Sequence, residues 1–599
     1  MRSSAFLLVA VALIVLAGLA VYIPAFRVGF YFDDSRSIVD NQAITDLANL
    51  KEIWEFWPTR FLVYLSLAVN YRFSGLNPAS YHAFNIAVHL AAGLMVFALL
   101  SGLFSLSRRA ALAGALFFVL HPVQTQAVTY VIQRAASLGA LFYLSAVLCY
   151  FKSFRPPRRP IYLLSLFFAV AAFFSKEYTF TLPFVLLLLH SFLLDAPGRR
   201  YRRSALIPFF ILVLIIPAGT LSYSQNRPYN FSGQLQLARF GGLIDAASPS
   251  RPVPLWVYLQ TQPRVMITYL RLLFYPVAQL LDYDYPFFSS FFRPEVISSL
   301  ALVAALLIWA VKAGRKAPVF SAGILWFFIT LLPESSVIPI LDPIAEHRLY
   351  LPLFGAALLF GWFAQRFLFS RRWSLAAVAF SLVCLAALAF SRNREWLDPL
   401  SFWEANAARA PGKARPLGIL GQLLYESRLN DTLPPGQRED YVRRAREIYE
   451  RVVEIEPDSI GGYINLAGIH ADYYRDYPRA KHYLQAAIDL DPAFWPAYLK
   501  LGTIRIITGE LEPAIESLLK AVELNPADDM AYLNLSLCYL RLGRLDKVEE
   551  WLLRGIEIWP EDPVFHARMA ILYRLRGEEE LASRSEQRAA ALRLRYSSK

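Results

Sequence analysis

The sequence predicts an all-α protein in two parts, a polytopic bundle of membrane-spanning helices followed by a solenoid of helical repeats. Of its 599 residues, 56% are hydrophobic and 18% are charged, whereas soluble globular chains are about 45–50% apolar and about 25% charged. Long apolar runs recur throughout residues 1–391, and Pro and Gly recur at a fixed interval near the carboxyl end. Together these observations exclude a single soluble domain and a disordered chain.

The apolar runs are long enough to cross the roughly 30 Å hydrocarbon core of a bilayer. We predict about eleven spans, near residues 5–26, 81–104, 110–128, 135–151, 161–175, 178–194, 205–222, 296–311, 318–333, 348–366 and 373–391. The first run has no convincing small-residue cleavage site before Phe26. We therefore expect a retained helix instead of a cleaved signal peptide.

The loop charges predict the orientation of this bundle. Residues 401–599 hold about 30 of the 47 acidic residues and about 27 of the 60 basic residues. Residues 1–400 therefore hold about 17 acidic and about 33 basic residues, a net charge of about +16. With eleven spans, the five basic clusters fall on one side, which is then the cytoplasm; they are residues 108–109, 152–159, 199–203, 312–316 and 366–372. The stretch 255–281 contains Arg264 and Arg271, which are costly at mid-membrane. We interpret it as interfacial or re-entrant on the outer side.

A repeat follows a polar connector at residues 392–414. Pro492, Pro526 and Pro560 are 34 residues apart, and so are Gly509, Gly543 and Gly577. A 34-residue unit in which Gly ends the first helix and Pro follows the second is typical of tetratricopeptide repeats. We predict four to five repeats over residues 415–599, stacked into a superhelix with a concave groove. The groove either binds a polypeptide or belongs to an uncommitted scaffold.

Two acidic residues follow the first span, in GFYFDDSRS. Aromatic side chains and Gly29 surround Asp33 and Asp34, so at least one carboxylate could lie in a partly dry cleft. Burial would raise the pKa of that carboxylate and suit it to general-base catalysis. The alternative is a solvated pair that caps a helix.

A second polar set lies on one helix face in YHAFNIAVHL. The spacing of His82, Asn85 and His89 at three and four residues places them together. Two histidines could bind a metal with a third ligand, but no HExxH motif or matching carboxylate follows. We expect structural histidines and no metal.

Further charged and polar residues border the apolar spans, where they are costly and therefore candidates for function. The remaining candidates are His121, Gln126 and Arg134; Lys176 and Glu177; and Asp342, Glu346, His347 and Arg348. Lys176 could pair with Glu177 or bind a phosphate, and the Arg348 fork matches phosphate oxygens. With eleven spans, all five sets lie on the outer face. This predicts an active site open to both lipid and water.

Several stretches in this order resemble a known family. They are FYFDDS, RFLVYLSLAVNYRFSGLNPASYHAFNIAVH, LHPVQTQAVTYVIQRAASLGALF, FFSKEYTFTLP, RLLFYPVAQLLDYDYP, AEHRLYLP and RNREWLDPLSFWEANAARAPGKAR. With the repeats that follow, the chain resembles the transmembrane-and-tetratricopeptide O-mannosyltransferases, and more broadly the GT-C glycosyltransferases. The resemblance covers nearly the whole chain.

The resemblance implies a GT-C membrane fold and a polyprenyl-phosphate or dolichyl-phosphate monosaccharide as donor, with inversion at the anomeric carbon. Asp33 or Asp34 would be the base. The donor phosphate would contact residues among Lys176, Arg348, His347 and Arg134. Three positions depart from the family pattern. Gln126 stands where Glu is common, Ser137 where an acidic residue is common, and His347 where Arg is frequent.

We therefore expect transfer of a mannose-like hexose to Ser or Thr hydroxyls of exported polypeptides bound by the repeats. The alternatives are transfer to an envelope glycan or lipid, a non-enzymatic assembly platform, and a transporter. The expected partners are the lipid-linked sugar, the acceptor polypeptide and membrane lipids, without nucleic acid or a separate cofactor. Arg greatly outnumbers Lys, which favours a bacterial inner membrane with periplasmic repeats over an ER membrane with lumenal repeats.

Overall fold

The computed structural model describes residues 2–154, 157–193, 203–219, 253–314, 316–335, 340, 342–368, 372–429 and 433–597. These residues form helices and turns, and the β-pairing among them is one isolated bridge between Phe154 and Pro157. The predicted all-α class is therefore confirmed. The chain divides into two compact units, with the boundary between Ala410 and Pro411.

The first unit is a helical bundle. Its described α-helices are α1 (Arg2–Tyr22), α2 (Leu50–Phe56), α3 (Phe61–Ser74), α4 (Pro78–Ala98), α5 (Arg108–Leu120), α6 (Thr125–Thr129), α7 (Arg134–Lys152), α8 (Arg159–Phe173), α9 (Leu182–Leu193), α10 (Ile207–Leu212), α11 (Leu255–Phe274), α12 (Pro294–Ala313), α13 (Pro318–Leu331), α14 (Leu353–Phe363), α15 (Arg372–Glu395) and α16 (Pro399–Arg409). Short 3-10 and π turns connect them, and two of these turns, Glu177–Thr181 and Glu346–Leu349, hold four of the candidate site residues.

The apolar helices make this an integral membrane protein. Six described helices are long and apolar enough to cross a bilayer, and a pair bent by 48°, Arg108–Leu120 with Pro122–Thr129, would make a seventh. Four shorter apolar helices coincide with the other predicted spans; they are Arg159–Phe173, Glu177–Leu193, Arg203–Gly219 and Leu353–Phe367. The count of eleven stays a prediction. Parts of the predicted basic clusters, such as residues 199–202, lie outside the described residues.

Three stretches of the first unit add detail to the predicted layout. Helix α3 forms over an apolar run that was not among the predicted spans. Helix α11 occupies most of the uncertain stretch 255–281, contains Pro263, and is not one of the helices apolar enough to span. Residues 392–410, most of the stretch interpreted as a connector, belong to the first unit, because the large apolar rings of Trp396 and Phe402 are buried there.

The second unit consists of paired helices. They are α17 (Ala414–Ser427), α18 (Pro435–Ile455), α19 (Ile460–Asp472), α20 (Tyr477–Leu490), α21 (Trp495–Ile507), α22 (Leu511–Leu524), α23 (Asp529–Arg541), α24 (Leu545–Ile558), α25 (Pro563–Leu575) and α26 (Glu579–Ser597). Gly509, Gly543 and Gly577 have φ values of +81°, +71° and +80° in the turns inside three pairs. This left-handed backbone favours glycine, which explains the 34-residue glycine spacing.

Candidate active site

The two acidic residues after α1 have different environments. Asp34 is fully buried, and its carboxylate accepts hydrogen bonds from the Tyr31 amide at 3.1 Å and the Ile132 amide at 2.7 Å. Burial raises the pKa of Asp34 to about 7. Asp33, by contrast, is exposed, and its amide donates to the Tyr130 hydroxyl at 2.9 Å. A solvent-borne hydroxyl can therefore reach Asp33 and not Asp34.

Backbone geometry turns these neighbours in different directions. Phe32 has φ of +47°, a conformation that L-residues rarely adopt and that persists only where surrounding contacts enforce it. Those contacts come from distant parts of the first unit. The Tyr31 hydroxyl donates to the Trp396 carbonyl at 2.6 Å, and the rings of Phe32 and Trp403 pack edge-to-face at 6.2 Å.

Arg60, Lys176 and Arg348 form what we call the cationic cluster. Lys176 is only 4% exposed, and no described residue accepts a hydrogen bond from its ammonium. Burial and the nearby Arg60 charge lower the pKa of Lys176 to about 8. Arg348 donates to the Pro343 carbonyl at 3.2 Å, and its Nε lies 4.0 Å from the Glu334 carboxylate.

Arg60 is neutralised within the cluster by Glu177. Its Nε lies 3.0 Å from Glu177 Oε1 and its Nη2 lies 3.1 Å from Oε2, a two-point pair. The Thr59 hydroxyl adds a third hydrogen bond to the same carboxylate at 2.9 Å. Glu177 is thus committed to Arg60, although the sequence also allowed it to pair with Lys176.

Gln126 and Glu346 fix the segment that carries His347 and Arg348. The Gln126 side-chain oxygen accepts the His347 amide at 2.6 Å, so the amide found where relatives often have Glu serves here as a backbone anchor. Burial and the charge of Lys176 hold the pKa of His347 well below its usual range, so its ring is neutral at pH 7.

Glu346 is fully buried and binds the loop that follows α11. Its carboxylate accepts the Leu280 amide at 2.9 Å, the Tyr283 hydroxyl at 2.5 Å and the Gln279 amide group at 2.8 Å. With three donors already on this carboxylate, Glu346 is a structural anchor for the loop.

Tyr64 connects the Asp33 loop to the cationic cluster. This side chain is 2% exposed, its hydroxyl lies 3.5 Å from Ser37 Oγ, and it interacts electrostatically with both Arg60 and Asp33. Through Tyr64 and Arg60, Asp33 is therefore linked electrostatically to Lys176, His347 and Arg348.

Arg134 is not placed to bind the donor phosphate, in contrast to the prediction from the resemblance. It is fully buried, and it donates to Asn85 Oδ1 and Asn70 Oδ1, both at 2.8 Å. Two more hydrogen bonds go to Ser66 and the Tyr81 carbonyl. These bonds join α3, α4 and α7 and leave no exposed donor for a ligand.

Three of the four candidate histidines, His82, His89 and His121, form hydrogen bonds inside the bundle. His82 bonds to the Val28 carbonyl at 3.0 Å, His121 bonds to the Leu273 carbonyl at 3.1 Å, and His89 uses one nitrogen for Tyr350 at 2.8 Å and the other for Val119 at 3.1 Å. Across the described ranges, no group of three or more His, Cys, Asp or Glu side chains is placed to hold a metal ion.

Sequence reasoning missed Arg60, Tyr64 and Glu334. Arg60 directly precedes the apolar run of α3, and Glu334 directly follows the apolar run of α13. A charged residue beside an apolar run was the signal that identified Lys176 and Arg348. The same signal would have found Arg60 and Glu334. Nothing in the sequence around Tyr64 distinguishes it as a site residue.

Comparison with known proteins identifies a repeat family and several similar proteins. A family profile described as "Tetratricopeptide repeat" matches residues 465–529 and 508–563, which confirms tetratricopeptide repeats in that part of the predicted solenoid. Protein O-mannosyl-transferase TMTC3 of Mus musculus is 24% identical over 522 residues, covering 80% of this chain and 54% of that protein. The chain is thus similar to protein O-mannosyl-transferases over most of its own length. It spans about half the length of the TMTC3 proteins that it matches.

Other similarities cover shorter parts of the chain. Human protein O-mannosyl-transferase TMTC4 is 33% identical over 181 residues, which cover 25% of this chain and 24% of that protein. Among solved structures, "Crystal structure of MamA" covers 28% of this chain and 96% of that chain, with 23% identity and a TM-score of 0.26.

Proposed function

We propose that this protein is a membrane glycosyltransferase that moves a mannose-like hexose from a polyprenyl-phosphate carrier to Ser or Thr hydroxyls of exported polypeptides. One observation supports it most strongly. An exposed carboxylate, Asp33, is linked electrostatically through Tyr64 and Arg60 to two buried cations, Lys176 and Arg348. Homology to protein O-mannosyl-transferases agrees with this chemistry.

In the proposed reaction, Asp33 is the general base. It takes the proton of the acceptor hydroxyl as the hydroxyl oxygen forms a bond to the anomeric carbon. The bond from that carbon to the phosphate oxygen breaks on the opposite face, and its electron pair leaves with the phosphate. The anomeric configuration therefore inverts. Asp34 acts as a positioning residue, because its two hydrogen bonds fix the loop that presents Asp33.

Lys176 and Arg348 would stabilise the charge that develops on the departing phosphate, which is the largest contribution we expect. His347, with a neutral ring, could donate a hydrogen bond to the same phosphate but adds no charge. A lipid-phosphate leaving group needs no nucleotide-binding loop. We propose no metal and no cofactor beyond the lipid-linked donor.

We further propose that the repeats of the second unit bind the acceptor polypeptide. Holding the acceptor on the same chain raises its effective concentration at the site. The active site and the repeats would face the periplasm in a bacterial inner membrane, or the lumen in an ER membrane.

The decisive experiment supplies the purified full-length protein with radiolabelled polyprenyl-phosphate mannose and a pool of exported peptides. We expect label on the peptides that is released by alkaline β-elimination, which cleaves sugars from Ser and Thr. Label on a glycan or lipid would favour the alternative acceptor class. If the donor is neither consumed nor hydrolysed, the chain is a non-enzymatic assembly platform and the proposal is wrong.

A further inference from the structure

Glu334 is an acidic residue placed against the cationic cluster. It lies in the turn Leu332–Ser335 that follows α13, and its side chain is 15% exposed. Its carbonyl accepts the Tyr258 hydroxyl at 2.6 Å, which fixes the backbone. The carboxylate itself receives no hydrogen bond from a described residue, and its ion-pair contact is the 4.0 Å approach to Arg348 Nε.

The two glutamates beside the cationic cluster differ in how firmly they are held. Glu177 accepts hydrogen bonds from Arg60 and Thr59 at 2.9–3.1 Å, and so it is immobilised. Glu334, by contrast, approaches Arg348 Nε to 4.0 Å and acts on Lys176 through longer-range attraction. Asp342 acts on Arg348 as well. Glu334 is thus a carboxylate that accepts no hydrogen bond from a described residue and interacts electrostatically with both Lys176 and Arg348.

The chemistry of transfer creates a problem of product release at such a site. The donor phosphodiester carries one negative charge, whereas the polyprenyl phosphate left after transfer carries up to two. Buried cations therefore hold the product more tightly than the donor. Without a negative charge that opposes this attraction, the product would occupy the site and slow each following turnover.

We propose that the Glu334 carboxylate supplies this opposing charge. Its carboxylate competes with phosphate for Lys176 and Arg348, and it repels the doubly charged product more than the singly charged donor. Glu334 thereby sets the balance between donor and product binding and promotes release of polyprenyl phosphate. This inference rests on the proposed function, because it takes the cationic cluster as the phosphate site.

The test compares binding of polyprenyl phosphate and of polyprenyl-phosphate mannose to the full-length protein in lipid nanodiscs. Glu334→Gln keeps the shape of the side chain and removes its charge. We expect product affinity to rise on the order of tenfold and donor affinity to rise by clearly less, because the repulsion scales with ligand charge. In transfer assays, product inhibition should strengthen by a similar factor, and the steady-state rate should fall relative to the single-turnover rate.

Two controls make the result specific. Glu334→Asp keeps the charge and should retain the wild-type ratio of donor to product affinity. Glu177→Gln removes the partner that neutralises Arg60, so it should also strengthen product binding and serves as a positive control for the charge effect. Equal gains for both lipids in Glu334→Gln, or no gain, would overturn the inference while leaving the proposed function standing. Failure of the wild-type protein to bind either lipid would overturn both.

Discussion

At the scale of single residues, burial assigns different roles to two adjacent aspartates. Asp34 is closed off and bonded to two backbone amides, whereas Asp33 is open to solvent. A general base must reach the hydroxyl that it deprotonates. The prediction that one carboxylate has a raised pKa applies to Asp34, and we propose Asp33 as the base because it is accessible, not because it is the more basic of the two.

We predict that Asp33→Asn reduces transfer by a factor of roughly 10²–10⁴, the usual contribution of a general base, and leaves the melting temperature unchanged. Asp34→Asn should instead lower the free energy of unfolding by about 1–3 kcal/mol, because an amide group would face a buried N–H donor. Transfer assays and thermal unfolding in detergent test both variants. Loss of transfer in Asp34→Asn alone, without destabilisation, would reverse the assignment.

Lys176 should make donor binding depend on pH. With a pKa of about 8, its ammonium is present below that pH and is lost above it. We therefore predict that affinity for polyprenyl-phosphate mannose, whose phosphodiester does not titrate in this range, falls as pH rises through about 8. Lys176→Arg keeps its charge at high pH, so its binding should be flat there. A fall that persists unchanged in Lys176→Arg would mean that another group titrates.

At the scale of elements, sequence patterns predicted the features that depend on short-range interactions along the chain. The 34-residue spacing of Gly and Pro located the repeat turns, because a left-handed glycine ends a helix wherever it occurs. The apolar runs located most of the bundle helices. By contrast, Arg134 and Lys176 are both lone cations beside apolar runs. Only tertiary contacts show that Arg134 is satisfied by Asn70 and Asn85 while Lys176 is not.

Helix α16 and the residues before it support the Asp33 loop. The Trp396 ring packs against Tyr31 at 5.2 Å and stacks on Tyr130 at 6.1 Å, and both tyrosines contact the loop. We predict that Trp396→Ala costs about 3–5 kcal/mol of stability and strongly reduces transfer, while binding of polyprenyl phosphate at the cationic cluster persists. Trp396→Phe, which keeps a ring, should retain most activity. Equal loss of lipid binding and transfer in Trp396→Ala would show general unfolding.

At the scale of the whole molecule, the two units are built on different principles. The first unit has one extended apolar core that runs through the described helices of the bundle. The second unit has smaller cores between successive helix pairs, such as those around Leu484 and Leu552. Repeat stability is approximately a sum of terms from each repeat and its neighbours. A defect in one repeat should therefore weaken the second unit without changing the core of the first.

Gly555 offers a sharp test of this separation. A Cβ atom at Gly555 in α24 would lie 2.1 Å from the Phe565 ring, whereas a Cβ at Gly468 in α19 would meet nothing within 4 Å. We predict that Gly555→Ala destabilises the repeats by about 1–3 kcal/mol through overpacking. Gly468→Ala should be neutral or slightly stabilising, because alanine favours helix. Both variants should bind polyprenyl phosphate like the wild-type protein, but Gly555→Ala should require more acceptor peptide for half-maximal transfer. If Gly555→Ala lowers lipid binding and peptide transfer in parallel, then the repeats are not a separate acceptor-binding unit.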